Sequence, residues 1–132
     1  MASLVEKIKS LSNSIAQETV GNRHHLHMYP ELSFQETATQ AFVEKQLNAW
    51  GIATNRLANT GVVAIIEGKN PSKKVVALRA DMDALPIIET NDVPYKSQNP
   101  GVMHACGHDV HTSSLLGTAH ILQTIKDEFE GT

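Results

Sequence analysis

Leu4, Ile8, Leu11, Ile15 and Leu26, with Thr19 among them, fall on one face at helical spacing. The pattern predicts a long amphipathic helix over about residues 3–28, interrupted at modest cost by Gly21. Pro30 ends it, and Ser33-Phe-Gln-Glu36 has the form of a capping box for a second helix running through Trp50 to Gly51. That helix carries two apolar stripes, Phe34/Ala38/Ala41/Phe42 and Val43/Leu47/Trp50, so it is expected to touch protein on two sides near its end. The period then changes. Ile52 to Leu57 reads as a strand, Asn59-Thr-Gly61 as a turn and Val62 to Glu67 as a second strand. After the loop from Gly68 to Ser72, the nearly continuous apolar run Lys74-Val-Val-Ala-Leu-Arg79 suits a central strand buried on both faces. Residues 84–103, with Pro86, Pro94, Pro100, Asn91 and Asn99, form a long irregular stretch of the kind that lines sites. Thr112 is placed to cap a last helix whose buried stripe is Leu115, Ala119, Leu122 and Ile125. Small residues Ser113, Ser114 and Gly117 would let that helix approach the sheet closely. The order α-α-β-β-β-loop-α predicts an α/β layered domain with a mixed sheet.

Composition narrows the function classes. The 132 residues are about one domain's length, and 41% hydrophobic with 19% charged residues is a globular composition. A formal charge of -3 gives no basic footprint for nucleic acid and no reason to seek an anionic membrane surface. The longest apolar runs, such as Val62-Val-Ala-Ile-Ile, are far shorter than a membrane span. Charges at Glu6 and Lys7 break the apolar pattern that a signal peptide needs. The one cysteine cannot form an internal disulfide, which fits a reducing compartment, and a cytoplasmic location is expected.

The chemistry concentrates in Gly101-Val-Met-His-Ala-Cys-Gly-His-Asp-Val-His-Thr. It holds Cys106, three of the seven histidines and an aspartate. Cys106 and His108 lie across Gly107, which lets the backbone turn sharply. A thiolate and an imidazole so placed can face one divalent ion, with zinc favoured and cobalt, nickel or manganese able to share the pair. His104, Asp109 and His111 could be further ligands, partners that hold a ligating imidazole, or proton carriers. The plainer alternative is a histidine-decorated loop around a small buried cysteine. His24, His25 and His27 close the first helix, where a solvated or hydrogen-bonded cluster is the simpler reading than a metal site. Asp81 and Asp83 end the apolar run at 74–79, at the sheet edge where α/β sites are built, although an Asp-rich strand end is also an ordinary turn signal.

Three segments carry a family resemblance. Met103-His-Ala-Cys-Gly-His-Asp-Val-His-Thr, preceded by Leu78-Arg-Ala-Asp-Met-Asp-Ala-Leu-Pro-Ile and by Arg23-His-His-Leu-His-Met-Tyr-Pro-Glu-Leu-Ser-Phe-Gln-Glu-Thr, resembles the amidohydrolase branch of the M20 metallopeptidases. The segments follow family order and cover nearly the whole chain. The resemblance implies the N-terminal part of a zinc-peptidase-like three-layer αβα catalytic domain, with residues 1–132 forming a partial domain. It makes Cys106 and His108 metal ligands in a site that holds two divalent metals when complete. Asp83 takes the place of the aspartate that supports a ligand. Asp81 stands where related peptidases have a ligating histidine, so no ligand role passes to it. The implied substrates are N-acyl amino acids or similar small amide conjugates, and the implied full-length assembly is a homodimer. The family's glutamate base belongs to a Glu-Glu pair; this sequence has no Glu-Glu, and the inserted dimerisation domain is not found in it. The chain is therefore expected to resemble the first third of a hydrolase and to be inactive alone. The alternative is a non-catalytic module that folds and binds metal weakly.

Overall fold

The computed structural model describes residues 3–132. The first helix, α1 (Leu4–Ser14), opens with a capping box: the Ser3 hydroxyl accepts from the Glu6 N–H at 3.2 Å, and the Glu6 carboxylate accepts from the Ser3 N–H at 2.8 Å. The single long helix expected over about residues 3–28 is two helices, with α2 spanning Ala16–Met28. The break lies at Ile15 (φ -97°, ψ 2°), not at Gly21, which sits inside α2 in open space. Just before the break the Ser14 hydroxyl donates to the Leu11 carbonyl at 2.7 Å, a side-chain bond that competes with the helical ladder.

Helix α3 (Thr37–Ala49) starts without the expected Ser33–Glu36 box. Phe34 has φ 65° and is exposed, and its turn carries Ser33 out of capping position. Glu31 does the capping: its carboxylate accepts from the Ala38 N–H at 3.1 Å and the Thr39 N–H at 2.7 Å. A carboxylate there also meets the positive end of the helix dipole. Gly51, at φ 74°, ends the helix in the left-handed conformation that glycine adopts freely.

Strands β1 (Thr54–Leu57) and β2 (Gly61–Ala64) pair antiparallel with Thr54 opposite Ala64. Ala58 and Asn59 both have positive φ in the turn between them. Beneath the hairpin, Val43 and Leu47 of α3 pack with Ile52 and Leu116, and Met82, Phe42 and Trp50 close the cluster. The strand expected at 74–79 does not form among the described residues. Val75, Val76 and Leu78 are exposed, and the Val76 N–H donates to the Thr132 carbonyl at 2.9 Å. A central strand needs neighbouring strands and a covering layer on each face, whereas among the described residues β1 and β2 pair only with each other.

Helix α4 (His108–Thr124) begins four residues before Thr112, capped at Gly107 with φ 97°. Its buried residues are Asp109, Thr112, Ser113, Leu116 and Gly117; of the expected stripe only Ile125, just past the helix, is fully buried. The small residues serve approach to a helix and not to a sheet: a Cβ on Gly117 would lie 3.1 Å from Thr19 Oγ1 of α2. Where α3 meets α4, the Trp50 indole stacks on His120 at 4.4 Å between ring centroids. The irregular stretch 84–103 is cinched at its base, where Leu85 and Met103 exchange two backbone hydrogen bonds of 3.0 Å. No helix among the described residues is long and apolar enough to cross a membrane.

Candidate metal centre

The loop that follows Met103 turns on Gly107 and runs directly into α4, so Cys106 precedes the helix and His108 is its first residue. Cys106 is a free, exposed thiol. The His108 ring is fixed from one side: its Nδ1 lies 2.9 Å from Asp83 Oδ1 and 3.0 Å from the Asp83 carbonyl oxygen. Two acceptors at Nδ1 place the proton there, which leaves Nε2 with its lone pair available. Asp81 is bonded elsewhere. Its carboxylate is bonded to Arg79, while its carbonyl accepts from the Thr112 hydroxyl at 2.9 Å. Thr112, expected as a cap, thus ties α4 to the segment that carries both aspartates. His111 is exposed, its ring centroid 5.8 Å from that of His108.

Behind the loop the structure gathers polar groups that spacing alone did not bring together. His27 is 3% exposed and lies between two carboxylates, with Nδ1 2.7 Å from Asp109 Oδ2 and Nε2 3.0 Å from Glu89 Oε1. Arg23 Nε is 2.9 Å from the same Asp109 oxygen. Of the three histidines ending α2, therefore, only His27 turns inward. His24 stacks on Tyr95 at 3.9 Å, and His25 stacks on Phe42 at 4.1 Å. Burial and the charge of Lys45 lower the His25 pKa. A cleft of about 380 Å³ beside His25, Tyr29 and Phe42 shares no lining residue with the Cys106 loop. His104 is buried, and neither ring nitrogen has a hydrogen-bond partner among the described residues. Burial above all holds its pKa below the ordinary 6.5, against the opposing pull of the Asp109 and Asp83 carboxylates.

Burial alone would raise the Glu89 pKa, but hydrogen bonds from the Ser97 N–H (2.7 Å), His27 and Asn91 outweigh it and hold the group below the usual 4.5. A carboxyl depressed in the folded state stabilises the fold above its unfolded pKa, and that contribution is lost as pH falls through the folded value. The melting temperature is therefore expected to drop as pH falls below about 4.5, and Glu89→Gln should flatten that acid limb. Thermal scans by circular dichroism in chelator, from about pH 6 to pH 3, check this. Equal acid slopes in both proteins would refute it.

Among the described residues no three His, Cys, Asp or Glu side chains converge closely enough to hold a metal ion, so the expected ligands remain two. Comparison with known proteins identifies the frame to which they belong. Residues 77–132 match the model of peptidase family M20/M25/M40. The N-acyl-L-amino acid amidohydrolase of Geobacillus stearothermophilus is 49% identical over 127 residues, 96% of this chain and 34% of the relative. This chain belongs to the M20 family. The Bacillus subtilis N-acetyl-L-cysteine deacetylase is 47% identical over 120 residues, 90% of this chain and 29% of its own length. Among solved structures, the Bacillus subtilis YXEP protein, described as a dinuclear metal binding peptidase from the M20 family, superposes with a TM-score of 0.83 at 41% identity. That match covers 90% of this chain and 34% of the YXEP chain. The M20 fold class expected from the sequence therefore stands, and the chain spans about a third of the length of the curated relatives it matches. His27, Glu89 and Arg23 were not expected to meet. The available signal was the step of four from Arg23 to His27, which puts both on one face of α2.

Proposed function

We propose that this M20 chain supplies two ligands, Cys106 and His108, of a divalent-metal site in an amidohydrolase that cleaves N-acyl amino acids or similar small conjugates. The observation that carries the reading is the Asp83–His108 pair beside a free cysteine. A ligating histidine characteristically gives its second ring nitrogen to a carboxylate or carbonyl, and His108 Nδ1 has both from Asp83. The donors fit a divalent ion. Cys106 would bind as the thiolate and His108 through Nε2. Zinc, manganese, cobalt and nickel all accept a ligand of one or both kinds, two ions being the expected number in a complete site. When bound, the metal acidifies a water and polarises the substrate carbonyl.

The chain's own residues then have separate tasks. Gly107 allows the turn that separates thiolate from imidazole, Asp83 holds the His108 tautomer, and Thr112 holds the Asp81–Asp83 segment against α4. Two protein ligands are fewer than zinc sites use, and the relatives named as hydrolases are about three times as long. The glutamate base and remaining ligands accordingly belong to the rest of an M20 protein, as does homodimer formation. A reducing, cytoplasmic setting would keep Cys106 free. A second reading, a folded module that binds metal weakly without turnover, draws on the count of two ligands.

Calorimetric titration of the 132-residue chain with Zn²⁺ tests the first step, with Cys106→Ser as control. Binding weakened at least about tenfold in the variant is expected, in keeping with loss of a direct ligand. Equal affinity in both proteins would sink the metal reading. Hydrolysis of an N-acyl amino acid by this chain alone, abolished by chelator, would overturn its incompleteness.

A further inference from the structure

We propose that Glu89, His27 and Asp109 act as a positioning array for the metal-binding turn; the inference rests on the metal reading above. The three side chains come from the irregular stretch 84–103, the end of α2 and the first turn of α4, and each is more than nine-tenths buried. His27 joins them at 2.7 Å to Asp109 and 3.0 Å to Glu89. Glu89 is fixed in turn by the Ser97 N–H at 2.7 Å and the Asn91 amide at 3.2 Å. Asp109 directly follows His108 in the chain, so whatever fixes its side chain also fixes the backbone from which the imidazole projects.

The array and Asp83 divide the work. Asp83 sets the rotation of the His108 ring, whereas the array sets where the turn stands relative to α2. Buried ionic groups contribute little net stability compared with apolar residues of the same size, so this cluster, with Arg23 at 2.9 Å from Asp109, is poorly explained as mere glue. It is directional, and its direction ends at the residue beside a proposed ligand. Such supporting partners affect metal affinity without touching the metal.

The test titrates Co²⁺ into the 132-residue chain and follows the thiolate-to-cobalt absorption band, comparing wild type, Cys106→Ser, His27→Gln, Glu89→Gln and the His27→Gln/Glu89→Gln double variant. Glu89→Gln keeps the shape of the side chain, so it reports even if the His27 variant does not fold. Weakening of about tenfold in each array variant is expected, with a shifted band and an unchanged far-ultraviolet circular dichroism spectrum. The double variant should be no weaker than the worse single one, because both act through one array. Array variants that match wild type in affinity and band, while Cys106→Ser differs, would overturn the positioning role and leave the metal reading standing. Wild type and Cys106→Ser binding alike would remove the metal reading, and the positioning role with it.

Discussion

Asp109→Ala is expected to lower the unfolding free energy by about 3–5 kcal/mol, the cost of removing one partner from a buried charged network. Asp109 is 1% exposed, and its Oδ2 meets both His27 Nδ1 and Arg23 Nε. Without it the buried His27 ring keeps Glu89 and Arg23 Nη2, 3.3 Å from its Nδ1, and Arg23 keeps its cation–π contact with Tyr95, 4.8 Å from the ring centroid. A cation–π contact of this kind is worth about 0.5–1 kcal/mol at exposed sites and cannot replace a buried carboxylate. The loss would be a large share of the roughly 5–15 kcal/mol that holds a domain together. Urea denaturation followed by circular dichroism measures it, with Asp109→Asn as the isosteric comparison. A loss below about 1 kcal/mol for the alanine variant would place this network with ordinary surface pairs and contradict its burial.

Asp83→Ala is expected to weaken divalent-metal binding by about tenfold, at the lower end of the range for removing a partner of a ligating histidine. Geometry decides for the lower end. The Asp83 carbonyl oxygen, 3.0 Å from His108 Nδ1, survives the substitution and continues to favour the same tautomer. The carboxylate at 2.9 Å does not survive, and with it goes the negative charge that makes the imidazole a stronger donor to metal. Asp83→Asn should fall between wild type and alanine, since its amide oxygen still accepts the hydrogen bond. Competition titration with a chromophoric chelator resolves differences of this size. Unchanged affinity in Asp83→Ala would mean that His108 is not oriented by this residue, or does not bind metal.

The elements legible in the sequence were those set by near neighbours. The β1–β2 hairpin follows from Asn59-Thr-Gly61, and α4 follows directly on a motif whose chemistry is local to Cys106-Gly-His108. The motif around Asp83 marked it as a supporting aspartate, but not that its partner would be His108, 25 residues away. What escaped was long-range or polar. Glu31 caps α3 from across a turn created by Phe34, and no local pattern announces a positive φ at a phenylalanine. His27 is buried although hydrophobic periodicity treats it as surface, because its burial depends on two carboxylates 62 and 82 residues away. The run at 74–79 has the composition of a central strand but lacks the strands and layers that would make it one among the described residues.

The stacked pair of Trp50 and His120 has a practical consequence. With one tryptophan in the chain, all indole emission comes from the seam between α3 and α4. Fluorescence therefore reports the opening of that seam and is blind to rearrangement around Cys106 and His108. An unfolding curve traced by emission can stay flat while the turn loosens, so divergence between emission and cobalt absorption would separate local opening from global unfolding.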